Sequence, residues 1–109
     1  MSDVLKVLGQ LAAAATTVET LYTAPNLSQV TTSSLIICNR TSGTLTFRVS
    51  VYKATESIDD KQYLFYDTPV GANSSVSAVI GMTLAQADSI KTYASATGLS
   101  FSLFGVETS

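Results

Sequence analysis

The chain has 109 residues, the length of one domain built around one core. Apolar residues make up 46% against 13% charged, enough burial to offset ordering and to exclude disorder as the main state. Six Lys and Arg are scattered singly among eight Asp and Glu for a net charge of -2, so nucleic acid finds no electrostatic handle. Histidine and Trp are absent and Cys38 is the single cysteine, which excludes an intrachain disulfide and a cysteine-rich metal site.

In chain order, the first stretch imitates a secretory leader, but Asp3 stands where positive charge is wanted and Lys6, Gly9 and Gln10 interrupt the apolar run. Asp3 could instead cap a helix in which Val4, Val7, Leu8 and Leu11 fall at i, i+3, i+4 and i+7, with Gly9 weakening it. Residues 1–16 are therefore expected as an N-terminal arm or short helix, and residues 17–109 as a single β-sandwich domain. Val18 to Thr23 is strand-prone and ends at Pro25-Asn26.

The clearest pattern runs from Thr44 to Tyr52, where Leu45, Phe47, Val49 and Val51 alternate with polar residues, the mark of a half-buried strand. The apolar run Leu35 to Cys38 precedes it across Asn39-Arg40-Thr41-Ser42-Gly43, which predicts a β-hairpin. Gln62 to Asp67 is an aromatic strand ended by turn residues from Thr68 to Asn73, and Ser75 to Ile80 alternates until Gly81. Thr83 to Asp88 holds at most one turn. Asp88 to Ala94 reads as an edge strand paired through Ala96-Thr97-Gly98 with a final, central strand carrying Leu99, Phe101 and Leu103.

Seven to eight short strands with no long helix predict an all-β fold, an antiparallel β-sandwich or jelly roll. No window reaches 18 uninterrupted apolar residues, so no transmembrane helix is expected, and the thiol usage suits a reducing cytoplasm. Asn26, Asn39 and Asn73 each head an N-x-Ser/Thr triplet, which in a chain with 15 Ser and 15 Thr reads as turn chemistry.

The chemistry on offer is sparse. Without His the usual base of acyl transfer is missing, and no S-x-x-K replaces it. Glu56, Asp59 and Asp60 cluster in ESIDD, where a solvated loop outweighs an acid/base pair, and the spacing does not wrap a calcium ion. The glycines are isolated, so no phosphate loop exists. Cys38 is expected to pack as a small hydrophobe, and Arg40 and Arg48 as solvated or ion-paired residues. No catalytic residue, metal ligand or cofactor site follows. Interaction is the better prospect: strand alternation would send Tyr63 and Phe65 to one face with Asp67, and Leu64 and Tyr66 to the other. An aromatic face made by Tyr63, Phe65 or Tyr66 could then meet a partner.

Five segments carry a resemblance: Leu8 to Gln10 (LGQ), Leu21 to Pro25 (LYTAP), Ser33 to Val51 (SSLIICNRTSGTLTFRVSV), Tyr63 to Val70 (YLFYDTPV) and Leu99 to Glu107 (LSFSLFGVE). Together they resemble small virion structural proteins of tailed bacteriophages, of the capsid decoration (cement) type. Where that pattern often continues YT-x-P with Ala-Gly, this chain has Asn26-Leu27. The resemblance implies a non-enzymatic β-sandwich, made in the bacterial host cytoplasm, that binds the major capsid protein on the outer face of the shell, as a homotrimer. It implies no nucleic acid and no membrane partner. Val4, Leu5, Val7 and Leu8 would dock on a neighbour. A minor tail, neck or baseplate component and a carbohydrate-binding sandwich, stacking sugars on exposed tyrosines, are the alternatives.

Overall fold

A computed structural model describes residues 3–108; Met1 and Ser2 of the expected arm, and Ser109, lie outside the described residues. Among the described residues there are nine strands: β1 (Asp3–Ala12), β2 (Glu19–Thr23), β3 (Gln29–Asn39), β4 (Leu45–Tyr52), β5 (Tyr63–Val70), β6 (Ser75–Ala78), β7 (Thr83–Leu84), β8 (Ser89–Ala94) and β9 (Leu99–Thr108). One sheet, here sheet A, has the order β1-β9-β3-β6 with β7 also on β3, and sheet B has the order β2-β8-β4-β5. All of these strand pairings are antiparallel.

The pairing is nested. β1 takes β9, β2 takes β8, β3 takes β6 and β7, and β4 takes β5, as if one long hairpin with its tip between β4 and β5 were rolled into two sheets. That is jelly-roll topology. The two strands β6 and β7 sit on different stretches of β3, opposite Leu35–Cys38 and Val30–Thr31, so they are two halves of one strand interrupted around Gly81. Two strands not expected from the sequence, β1 in the predicted arm and β7 in the segment expected to hold at most one turn, bring the expected seven to eight to nine.

The inner faces are apolar for the reason the alternation gives. Phe47, Val49 and Ile90 from sheet B meet Leu35, Ile37, Leu99, Phe101 and Leu103 from sheet A, all of them fully buried. The Phe47 ring spans the sandwich, 6.1 Å from Phe101 edge to face and 5.5 Å from Phe65. Each such side chain contributes roughly 1.5–3 kcal/mol on burial.

Three local expectations are corrected. The N-terminal segment is neither helix nor detached arm. It is an edge strand whose register shifts between Val7 and Gly9, and this bulge puts Leu8 on the core side, so one bulged strand yields helix-like spacing. Second, β3 and β4 do not form a hairpin: they belong to different sheets, and the buried Asn39 amide fixes the crossing by donating to the carbonyls of Gly43 and Val70. Third, β8 is an inner strand of sheet B and β9 a central strand of sheet A, so the Ala96-Thr97-Gly98 turn crosses between sheets as well.

Candidate functional site

The two outer faces of the sandwich differ sharply. On sheet B, Phe47 and Val49 point inward, so Arg48 between them points out. Its guanidinium lies between two rings, 4.1 Å from the centroid of Tyr66 on β5 and 4.5 Å from that of Tyr93 on β8. It donates to both carboxylate oxygens of Asp67, at 2.7 and 3.3 Å. That carboxylate raises the Arg48 pKa further. Tyr63 meets Tyr66 edge to face at 4.9 Å, and Lys91 lies 4.4 Å from the Tyr52 ring centre. Burial, and Tyr63 next, push the Tyr52 phenol above its ordinary value.

This ladder corrects the expected facing of β5. The register shifts between Val49 and Ser50, where Tyr63 pairs Ser50 while Phe65 pairs Val49, leaving Leu64 as the extra residue. Tyr63 and Tyr66 therefore share the outer face, and Phe65 turns inward onto Phe47. A second shift, between Phe47 and Val49, accompanies Asp67 in the left-handed region at φ 48°, which aims its carboxylate at Arg48. Tyr66 remains 57% exposed. The guanidinium covers one face of Tyr66 and one of Tyr93.

On sheet A, the outer face is formed by Leu5, Val7 and Gln10 of β1, Ser102, Phe104 and Val106 of β9, Thr31, Ser34, Ile36 and Cys38 of β3, and the serines of β6. Leu5 is 83% exposed, and Val4 and Val7 are exposed as well. Leu8, expected beside them as a docking residue, is a core residue at 8% exposure. Cys38, expected in the core, is half-buried on the outer face. The seven residues singled out in the sequence thus divide among three places. Val4, Leu5 and Val7 lie on β1 of sheet A, Tyr63 and Tyr66 on the opposite face of the molecule, and Leu8 in the core with Phe65 half-buried against it. Sequence reasoning expected Arg48 to be solvated or ion-paired, and it pairs with Asp67, but it passed over Tyr93 and the stacking of Arg48 between rings, which depends on β4 and β8 pairing 45 residues apart, Arg48 opposite Tyr93.

The ESIDD acids hold their own loop together. The Glu56 carboxylate accepts the Lys53 backbone N–H at 3.0 Å and sits 3.2 Å from the Lys61 ammonium; the N–H first, then Lys61, hold its pKa low. Asp59 caps a short 3-10 turn, Asp60–Gln62, and the buried Gln62 amide donates to the Ser57 carbonyl. Among the described residues no group of three His, Cys, Asp or Glu is placed to hold a metal ion, and no helix is long and apolar enough to cross a membrane.

No protein-family model matches the chain, and no curated protein matches it in sequence. Among solved structures it is similar to a chain in the structure of infectious bursal disease virus Gx strain, with TM-score 0.55 and 16% identity over 97% of this chain and 32% of that chain. It is similar also to a chain in the structure of the Gt strain of that virus, with TM-score 0.50 and 15% identity over 96% and 31%. This chain spans about a third of the length of those viral chains. At such identity the likeness is one of fold alone.

Proposed function

We propose that the chain is a non-enzymatic structural protein of a virion, and within that class a capsid decoration protein of a tailed bacteriophage that binds the outer face of the major capsid shell and stabilises it. The observation that carries this reading is the preorganised Tyr63-Tyr66-Arg48-Tyr93 ladder on sheet B. Its members are aromatic and Arg, the residue types that dominate binding energy at protein interfaces, and they are held in place before any partner arrives. The viral fold neighbours and the sequence resemblance support the virion setting. The lack of His, together with acids spent on loop structure, supports a role by surface complementarity. Several copies held together would raise one another's effective concentration at the shell.

Mixing purified protein with particles that lack it, then sedimenting them, tests this reading. The expected result is saturable binding that delays heat-induced DNA release. Tyr66→Ala is expected to weaken binding by about tenfold or more while leaving the melting temperature within a few degrees, since Tyr66 is exposed. Binding unchanged by Tyr66→Ala would contradict the assignment of this face, and no binding at all would contradict the decoration role.

A further inference from the structure

The outer face of sheet A has a composition that water does not favour. Between the two ends of its four paired strands its side chains are apolar or carry only hydroxyl, thiol or amide groups: Leu5, Val7, Phe104, Val106 and Ile36 stand among serines and threonines. A sheet face exposed to solvent ordinarily alternates to charged and strongly polar residues, and a contiguous apolar patch on a small protein marks an interface. Sheet B, by contrast, carries Arg48, Asp67 and Lys91 on its outer side.

Among the described residues charge appears only at the two ends of this face. Asp3 sits at the end where β1 meets the close of β9 and accepts the Thr108 hydroxyl at 2.9 Å. Arg40 sits at the other end, its Nε donating to the Ser100 hydroxyl at 2.8 Å. Among the described residues neither has an opposite charge within ion-pair distance. Ser100 and Thr108 are about 27 Å apart along β9 at the usual rise per residue, and Phe104 lies midway between them.

We infer that this face is the contact between two copies of the chain, packed sheet to sheet about a two-fold axis over Phe104. Such an axis reverses the strand direction, so each Asp3 comes to the end that holds the partner's Arg40, Phe104 and Val7 meet their own copies at the axis, and Leu5 and Val106 lie over the partner's Gln10 and Ser102. An unpaired acid at one end and an unpaired Arg at the other are self-complementary only in this arrangement. The size fits. The strands β1, β9 and β3, ten or eleven residues long, with the four residues of β6 and two of β7 beside them, lie about 4.8 Å apart and project to roughly 600 Å², and the accessible area of side chains standing on that plane approaches the roughly 800 Å² per partner of a stable interface. The pairing gives two copies where the sequence resemblance implies three. It leaves sheet B free on both sides of the dimer, and it does not rest on the virion reading.

Sedimentation of the isolated full-length protein across a concentration series tests the inference. The expected species is a dimer. Leu5→Glu, an exposed position on β1 where folding is tolerant, is expected to weaken it by about tenfold or more, with the circular dichroism spectrum unchanged. Asp3→Lys or Arg40→Glu alone is expected to weaken it by about threefold, and the two together to restore it. The native Cys38 thiol reports the same contact without a new residue: maleimide labelling is slow in the dimer and accelerates on dilution or in Leu5→Glu. A monomer at about 100 µM, a trimer, or a dimer indifferent to Leu5→Glu overturns the inference. None of these outcomes depends on whether the protein binds particles.

Discussion

The Tyr22 hydroxyl, on β2 of sheet B, donates a hydrogen bond to the carboxylate of Glu107, on β9 of sheet A. The same carboxylate takes the Lys6 ammonium of β1 at 3.1 Å, so three strands and both sheets are tied at one end of the sandwich. The Tyr22 bond, and Lys6 next to it, hold the Glu107 pKa below the usual carboxylate range; burial first, and Glu107 second, push the Tyr22 phenol above its ordinary value.

Tyr22→Phe keeps the ring and removes the cross-sheet bond. Because the acceptor is ionised, the expected loss is about 1–2 kcal/mol, read from urea or thermal unfolding near neutral pH. The pH dependence carries a sign. The depressed Glu107 pKa stabilises the fold above about pH 4.3, the unfolded value, and that contribution is lost as pH falls through the folded value. The raised Tyr22 pKa keeps its contribution below about pH 10 and loses it as pH climbs toward the folded value. In Tyr22→Phe both limbs are expected to flatten; wild-type curvature in the variant would show that other groups produce it.

Gly105 lets β9 run close to β3 and to Leu8. A Cβ there would stand 2.4 Å from the Thr31 carbonyl oxygen and 2.9 Å from Leu8 Cδ1. The first of these neighbours is backbone and cannot swing aside. Gly105→Ala is therefore expected to cost about 1–3 kcal/mol, measured as a lower melting temperature. A variant as stable as wild type would mean that the two strands part without penalty.

Leu27 holds a left-handed backbone, φ 60°, and its side chain is 87% exposed. A γ-branched residue gains nothing there and carries a backbone cost of roughly 1–2 kcal/mol. Glycine would remove that cost and keep the backbone N–H bond that residue 27 donates to Gln86 at 2.8 Å, though it gives the unfolded chain more freedom. Leu27→Gly is expected to stabilise the protein by up to about 1 kcal/mol, visible as a melting temperature a few degrees higher. A fall instead would mean that the unfolded-state term dominates.

The sequence conveyed the sheets better than their wiring. The alternation from Thr44 to Tyr52 and from Leu99 to Leu103 assigned the inward residues correctly, because period-two burial is a local property. Whether two successive strands pair or cross between sheets is not local: Asn39–Gly43 has the residues of a reversing loop, yet Asn39 uses its amide to bridge toward β5 instead. Bulges hid the rest. At Leu8 a bulge made a strand read as a helix, and at Leu64 another brought Tyr63 and Tyr66 to the face where alternation had separated them. The ladder around Arg48 was legible only in part, since its members come from three strands whose order follows from the jelly-roll wiring.

If this jelly roll is a virion part, quantitative mass spectrometry of purified particles finds it in a fixed ratio to the major capsid protein. The expected ratio is near one to one or a simple fraction of it, as for a protein that covers the shell. A few dozen copies or fewer per particle would contradict the decoration role and move the protein to the tail, neck or baseplate, and its complete absence would contradict the virion claim itself.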